Sequence, residues 1–82
     1  MINAAQIRGA RALLNISQTD LAKVADLHVA TIRRLEAASA VRGAAESLWK
    51  IESTLERMGI EFIPAGAGKG PGVRLSQEEQ SS

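Results

Sequence analysis

The chain has 82 residues, a formal net charge of +1 and a hydrophobic content of 45%, with one Trp, one Phe and no Tyr. This length gives a single small domain with a limited core, so a second copy of the chain is a natural source of further buried surface. The absence of cysteine excludes disulfides and thiolate metal sites. No segment approaches the ~20 apolar residues of a membrane-spanning helix. We therefore expect a cytoplasmic protein with no cofactor, no metal ion and no membrane contact.

A first helix is predicted to follow Asn3 and to end near Leu14. Asn is a residue type that commonly caps helix N-termini. Ile7, Ala10 and Leu14 recur at intervals of three and four residues, which places them on one helical face. Gly9 lies inside this helix, where it costs about 1 kcal/mol relative to Ala. The glycine therefore predicts that this helix packs closely against another element at this point.

Two short helices joined by a tight turn are predicted between Gln18 and Glu36. Ser17 caps the first of them, and Asp20 stands where a capping box places its second residue. The apolar or small residues that give each helix one buried face are Leu21, Ala22, Ala25, Leu27, Ile32 and Leu35. Two helices at a steep angle, joined by about 3–4 residues, form a helix-turn-helix, whose second helix commonly enters the DNA major groove.

This stretch resembles the helix-turn-helix of the phage-repressor and Cro-type (XRE) bacterial transcriptional regulators over roughly residues 4–58. Besides the apolar spacing, the positions that carry the resemblance are Ser17, Gln18, Thr31, Ile32, Leu35 and Glu36. The resemblance implies a mainly α-helical, lambda-repressor-like domain of about four helices. The chain departs from the family at Asp26, where glycine is usual in the turn, and in residues 37–43, where Asn-Gly often follows the glutamate. Asp tolerates the left-handed backbone of such a turn at some cost.

The resemblance also implies roles for individual residues. Arg11 stands where the family often places an arginine that pairs with the glutamate matched by Glu36; a surface arginine is the alternative. Such a pair orients the recognition helix, residues 28–36, more than it stabilises the fold. The residues expected to contact DNA are Gln18, His28, Val29, Ala30, Thr31, Arg33, Arg34 and Arg42.

Within this set Arg34 is the best candidate for reading a base, because its planar guanidinium can bond O6 and N7 of guanine together. Ile32 and Leu35 are expected to point inward, so the spacing predicts that Val29, Ala30, Arg33 and Arg34 point mostly outward. Val29 and Ala30 can only touch a thymine methyl group. Gln18 and Arg42 are expected at phosphates, and each has a solvated side chain as its alternative. The remaining DNA-contacting residues would lie nearer the backbone than the bases.

A longer helix is predicted over about residues 44–58. Leu48, Ile51 and Leu55 form its apolar stripe at spacings of three and four residues. Trp49 flanks this stripe, and we expect it to close the core rather than to stack on a base.

Two short strands are predicted after this helix, at residues 60–63 and 73–75, with a flexible glycine-rich loop between them. The loop sequence resembles a phosphate-binding motif only in part. Its spacing is wrong, and Lys69 is followed by neither Ser/Thr nor a helix. The apolar residues that share the matching faces of the hairpin are Ile60, Phe62, Val73 and Leu75. Because a lone hairpin is barely stable, we expect it to pack on the last helix and to build a homodimer through these residues. The alternative is a hairpin folded only against its own chain.

The chain thus divides into a helix-turn-helix domain (1–58), a hairpin (59–75) and a disordered tail (76–82). No nucleophile–base pair, paired carboxylates or metal-ligand cluster emerges, so we do not expect an enzyme. The sequence predicts a dimeric repressor that binds a double-stranded DNA operator. The alternative is an antitoxin or anti-regulator whose hairpin binds a partner protein, such as a toxin or another regulator.

Overall fold

The computed structural model describes residues 1–37 and 45–76. In these residues four helices precede a two-stranded antiparallel sheet, which is the mainly helical fold that the sequence predicts. The elements are α1 (Ala4–Leu14), α2 (Gln18–Ala25), α3 (Val29–Ala37), α4 (Ala45–Arg57), β1 (Ile60–Ile63) and β2 (Gly72–Leu75). Arg42, with the rest of segment 38–44, and residues 77–82 of the predicted tail lie outside the described residues.

The N-termini of α1 and α2 are both closed by capping boxes. At α1 the side chain of Asn3 accepts the N–H of Gln6 at 2.8 Å, and the Gln6 side chain accepts the N–H of Asn3 at 2.9 Å. At α2 the same exchange links Ser17 and Asp20, with both distances 3.0 Å. The hydrogen bond from the Ser17 backbone, followed by that from its hydroxyl, lowers the pKa of Asp20 below its usual value. Four backbone N–H groups without a partner in the helix are satisfied by local side chains, which explains where these helices begin.

The turn between α2 and α3 forms despite its missing glycine. Asp26 adopts the left-handed conformation, with φ of 58°. The next N–H, that of Leu27, donates to the carbonyl of Ala22 at 2.9 Å, which closes the end of α2. The side chain of Leu27 is partly buried and packs against the core, so it fills the angle between the two helices.

The core is built from the inward faces of all four helices and from β1. The largest fully buried side chains are Ile7, Leu21, Ile32, Leu35, Ile51 and Leu55. The prediction that Trp49 closes this core is wrong, because 66% of the residue is exposed. Trp49 follows the buried Leu48 by one position, and one residue turns the side chain about 100° around a helix. The indole therefore leaves the buried stripe and lies in a shallow surface groove shared with Val24 of α2.

The hairpin is longer than its two strands. Its register pairs Ile60 with Leu75 and Ile63 with Gly72. Pro64 and Pro71 come next in the same register, and pairing lapses there because proline has no N–H for the ladder.

Pairing resumes at the tip of the hairpin, where Gly66 and Lys69 exchange two backbone hydrogen bonds of 2.9 Å. Ala67 and Gly68 between them have φ of 54° and 77°. Two successive residues with positive φ are the mark of a type I′ turn, whose twist suits a hairpin. The predicted flexible loop is therefore a tight, defined turn.

The hairpin packs on two helices, β1 on α4 as predicted and β2 on α1. Gln6 of α1 is buried, and its Nε2 donates to the carbonyl oxygens of Gly72 at 3.0 Å and Ile63 at 3.4 Å. A Cβ placed on Gly9 would lie 3.1 Å from Cγ2 of Val73. The close packing predicted from Gly9 is thus confirmed, and its partner is the second strand.

Candidate nucleic-acid interface

The exposed face of α3 is set by what the helix buries. The carbonyl of His28 accepts the N–H groups of Thr31 at 3.0 Å and Ile32 at 3.3 Å, which begins the helix. Ile32 and Leu35 are fully buried between α3 and its neighbours. Because these two residues fix the inner face, the residues between them must turn outward.

Ala30, Arg33 and Arg34 are exposed on this outer face. Neither arginine forms a hydrogen bond or ion pair with any residue in the described part of the chain. An intramolecular carboxylate would compete with a phosphate or a base for the guanidinium. Both guanidinium groups are therefore available to an outside acceptor.

Val29 does not point outward as the sequence predicts. It is partly buried and packs against the core at the start of α3. Its isopropyl group completes the packing that Leu27 begins, so only a part of its surface can reach a base. Ala30 is left as the exposed small residue at this end of the helix.

The positive surface beside α3 includes a residue that the sequence analysis did not select. Lys23 is exposed on α2 and lines a shallow groove between α2 and α3 together with His28 and Thr31. Asp26 lines the same groove and offsets part of its charge. Because Lys23 lies two residues beyond the buried Leu21, its spacing indicates an outward cation on α2, the helix that packs against α3.

Glu36 lies at the centre of the contacts that hold α3. Its Oε2 accepts Nε of Arg11 at 2.7 Å, and its Oε1 accepts Nη2 of the same guanidinium at 2.9 Å. The exposed fractions of the two side chains are 4% for Glu36 and 21% for Arg11. The hydrogen bond with Glu36 raises the pKa of Arg11 above its usual value. The predicted partners therefore lie in a two-point contact whose carboxylate is shielded from water.

Two further side chains meet the same residue. Nε2 of Gln18, at the start of α2, donates to Oε1 of Glu36 at 3.2 Å. Nη1 of Arg8 donates to the backbone carbonyl of Glu36 in the last turn of α3. Gln18 was expected at a phosphate, whereas here its side-chain amide is directed to Glu36. Arg8 was not selected from the sequence, although its spacing of three residues from Arg11 places both on one face of α1.

The arrangement offers cations to an anion. Across residues 1–37 and 45–76, no cluster of three or more His, Cys, Asp or Glu side chains could hold a metal ion. None of the described helices is long and apolar enough to cross a membrane.

A short capped helix, a tight turn and an exposed basic helix define the fold of a helix-turn-helix protein. The helix-turn-helix family matches residues 7–57, and the chain belongs to it. It is accordingly a DNA-binding transcriptional regulator of the Cro/repressor (XRE) type. Comparison with curated proteins and with solved structures gave no significant match.

Proposed function

We propose that this regulator acts as a dimeric repressor. Two copies place residues 28–36 in successive major grooves of a two-fold symmetric operator, with their recognition helices about 34 Å apart. The bound dimer then blocks access of the polymerase to the promoter. The observation that carries the proposal is that Arg33 and Arg34 are exposed and have no partner among the described residues. They lie on a helix whose far end is held by α1 and α2.

The proposed roles divide the residues of the interface between bases and phosphates. Arg34 reads a guanine through O6 and N7, and Ala30 with the exposed part of Val29 meets a thymine methyl group. Contacts to phosphates are proposed for His28, Thr31, Arg33, Arg42 and the N-terminus of α2 at Gln18. These phosphate contacts give affinity that falls steeply with added salt, because each releases a condensed counterion.

The proposed dimer contact runs through the hairpin, but its four apolar residues do not contribute equally. Ile60 is 3% exposed and belongs to the core of its own chain, whereas Leu75 is 38% exposed. Phe62 and Val73 are partly buried against the same core. We therefore assign the contact to Leu75 and to the outer edges of the two-stranded sheet, where a second chain can add a strand.

A partner protein is the second candidate, and the same strand edges favour it. An exposed edge can add to the sheet of a different protein, as an antitoxin or anti-regulator would require. A heteromeric complex that survives purification at high salt would favour this function over repression by a homodimer.

Selection from a random DNA pool by the purified protein, at two salt concentrations, tests the proposed function. A two-fold symmetric motif is the expected result, because a symmetric dimer reads two equivalent half-sites. Recovery of no motif, with weak binding that vanishes at the higher salt, would contradict a sequence-specific repressor.

The selected site then tests whether Arg34 reads a base while Arg33 contacts a phosphate. Arg34→Ala should cost about 1–3 kcal/mol of binding free energy on the selected site and relax specificity at one position of each half-site. Arg33→Ala is the matched control, since it removes the same charge one residue away and should weaken all sequences alike. Quantitative binding to the selected site and to its single-base variants measures both effects. Uniform weakening by Arg34→Ala would remove this residue from the reading role.

A further inference from the structure

A cavity of about 450 Å³ lies between the start of α1, the middle of α4 and the hairpin. Its volume falls within the range of about 300–1,000 Å³ that is usual for small-molecule sites. None of its lining residues belongs to α2 or α3, so the cavity is separate from the DNA-reading surface. Its lining residues include Ile2, Gln6, Glu52, Phe62, Pro64 and Pro71.

The walls of the cavity are mainly apolar. Ile2 of the segment before α1 is buried, and Phe62 of β1 is partly buried. Pro64 and Pro71 stand opposite each other where the ladder of the hairpin lapses, so two rigid rings form the outer wall. The fixed φ of proline limits the freedom of this wall, which favours a preformed site over an adaptable surface.

Of the two polar residues in the cavity, one is already engaged. Gln6 donates to two carbonyl oxygens of the hairpin and accepts the N–H of Asn3. Glu52 is partly buried on α4 and forms no hydrogen bond or ion pair with any described residue. The positions three and four residues away on α4 hold Leu48, Trp49, Leu55 and Glu56, none of which is a cation.

Met1 also lines the cavity, but its terminal ammonium forms no ion pair with Glu52. A carboxylate beside apolar walls has lost part of its hydration, and Glu52 has no direct counter-ion among the described residues. A ligand that supplies an ammonium group to Glu52 and an apolar body to the rings compensates both deficits. A neutral ligand of the same shape leaves the carboxylate without a partner, and an anionic ligand adds repulsion.

We infer that this cavity is a binding site for a small hydrophobic amine, with the ammonium at Glu52 and the apolar body against Phe62, Pro64 and Pro71. The site depends on neither DNA nor a second copy of the chain. It gives this small regulator a receptor surface for an effector.

The probe is phenethylamine, compared with 2-phenylethanol and 3-phenylpropanoate, which keep the aromatic ring but carry no charge or a negative charge. Titration of the isotopically labelled full chain at neutral pH, followed by amide chemical shifts, measures binding. The amine should saturate the site below about 10 mM and bind about tenfold more tightly than the alcohol. The shifts should map to the residues around Ile2, Glu52 and Phe62. No saturable binding of the amine, or equal affinity for amine and alcohol, would overturn the inference.

Glu52→Gln supplies the decisive variant, because it keeps the size of the side chain and removes its charge. The variant should lose the preference for the amine while both neutral and charged ligands retain the weak apolar contact. Glu56→Gln is the matched control on the exposed side of the same helix, and it should leave all affinities unchanged. An amide spectrum close to that of the unmodified chain verifies the fold of each variant. A preference for the amine that survives Glu52→Gln would also overturn the inference.

Discussion

At the scale of single residues, the carboxylate of Glu36 connects α3 to α1 and α2. It accepts Arg11 from α1 and Gln18 from α2, while the backbone carbonyl of the same residue accepts Arg8. Burial of a charge costs much of the energy that its pairing returns, so such a contact contributes geometry more than net stability. The position and tilt of α3 are therefore set by hydrogen bonds at its last turn.

Glu36→Gln should lower the free energy of unfolding by about 2 kcal/mol. The amide brings an N–H group against the donors of Arg11 and leaves that guanidinium without its counter-charge. The loss stays below the 3–5 kcal/mol of a fully buried pair because Arg11 keeps some contact with water. Urea denaturation of both proteins measures the difference.

The exposed fork between Arg74 and Glu61 is the matched control for Glu36→Gln. Its two hydrogen bonds are both 2.9 Å, but the side chains are 64% and 51% exposed. Glu61→Gln should therefore change stability much less than Glu36→Gln, because exposed ion pairs contribute little. Equal losses for the two variants would show that burial does not govern the contribution of Glu36.

At the scale of elements, an alanine at Gly9, where α1 packs on β2, has two opposing effects on stability. An alanine there gains about 1 kcal/mol of helix propensity, yet its Cβ would lie 3.1 Å from Val73, too close without movement. Gly9→Ala should therefore stabilise the protein more in a Val73→Ala background than alone, by about 1 kcal/mol. A double-mutant cycle of unfolding free energies measures this coupling. Additive effects would show that α1 and β2 move apart enough to accept the extra Cβ without cost.

How far the sequence predicts each element depends on whether local chemistry decides it. The caps at Asn3 and Ser17 involve neighbours within a few residues, and the sequence predicts both. The turn at Ala67 was missed because alanine rarely adopts positive φ, while the surrounding glycines permit many loops. Trp49 was misplaced because a residue beside an apolar stripe can turn to either side, and only the packing of α2 decides which.

The residues of the candidate site are likewise predicted well where local spacing decides their position. The spacing within α3 correctly identifies Ala30, Arg33 and Arg34 as exposed. The partial burial of Val29 and the contact of Gln18 with Glu36 depend on how α2 and α3 cross, which one-dimensional periodicity does not contain. The contact of Arg8 with α3 could not be predicted, because its acceptor is a backbone carbonyl and every residue in the chain has one.

At the scale of the whole molecule, the hairpin and the reading helix are connected through α1. One end of α1 holds the hairpin by the side chain of Gln6, and the next turns hold α3 by Arg8 and Arg11. A rigid helix of 11 residues thus carries contacts to both halves of the chain. The hairpin is an integral part of the domain that presents the recognition helix.

Gln6→Met tests this connection, because it keeps the length of the side chain and removes its polar atoms. The carbonyls of Ile63 and Gly72 lose their donor and the cap of α1 loses one bond, which should cost about 2–3 kcal/mol in total. Asn3→Ala weakens the same cap without touching the hairpin and should cost about 1 kcal/mol. Amide hydrogen exchange under native conditions separates the two effects. Gln6→Met should accelerate exchange in β2 and in the last turn of α3, whereas Asn3→Ala should act only on the first turn of α1. Equal exchange of β2 in the two variants would mean that apolar packing alone holds the hairpin, and that α1 transmits nothing from it to the DNA-reading helix.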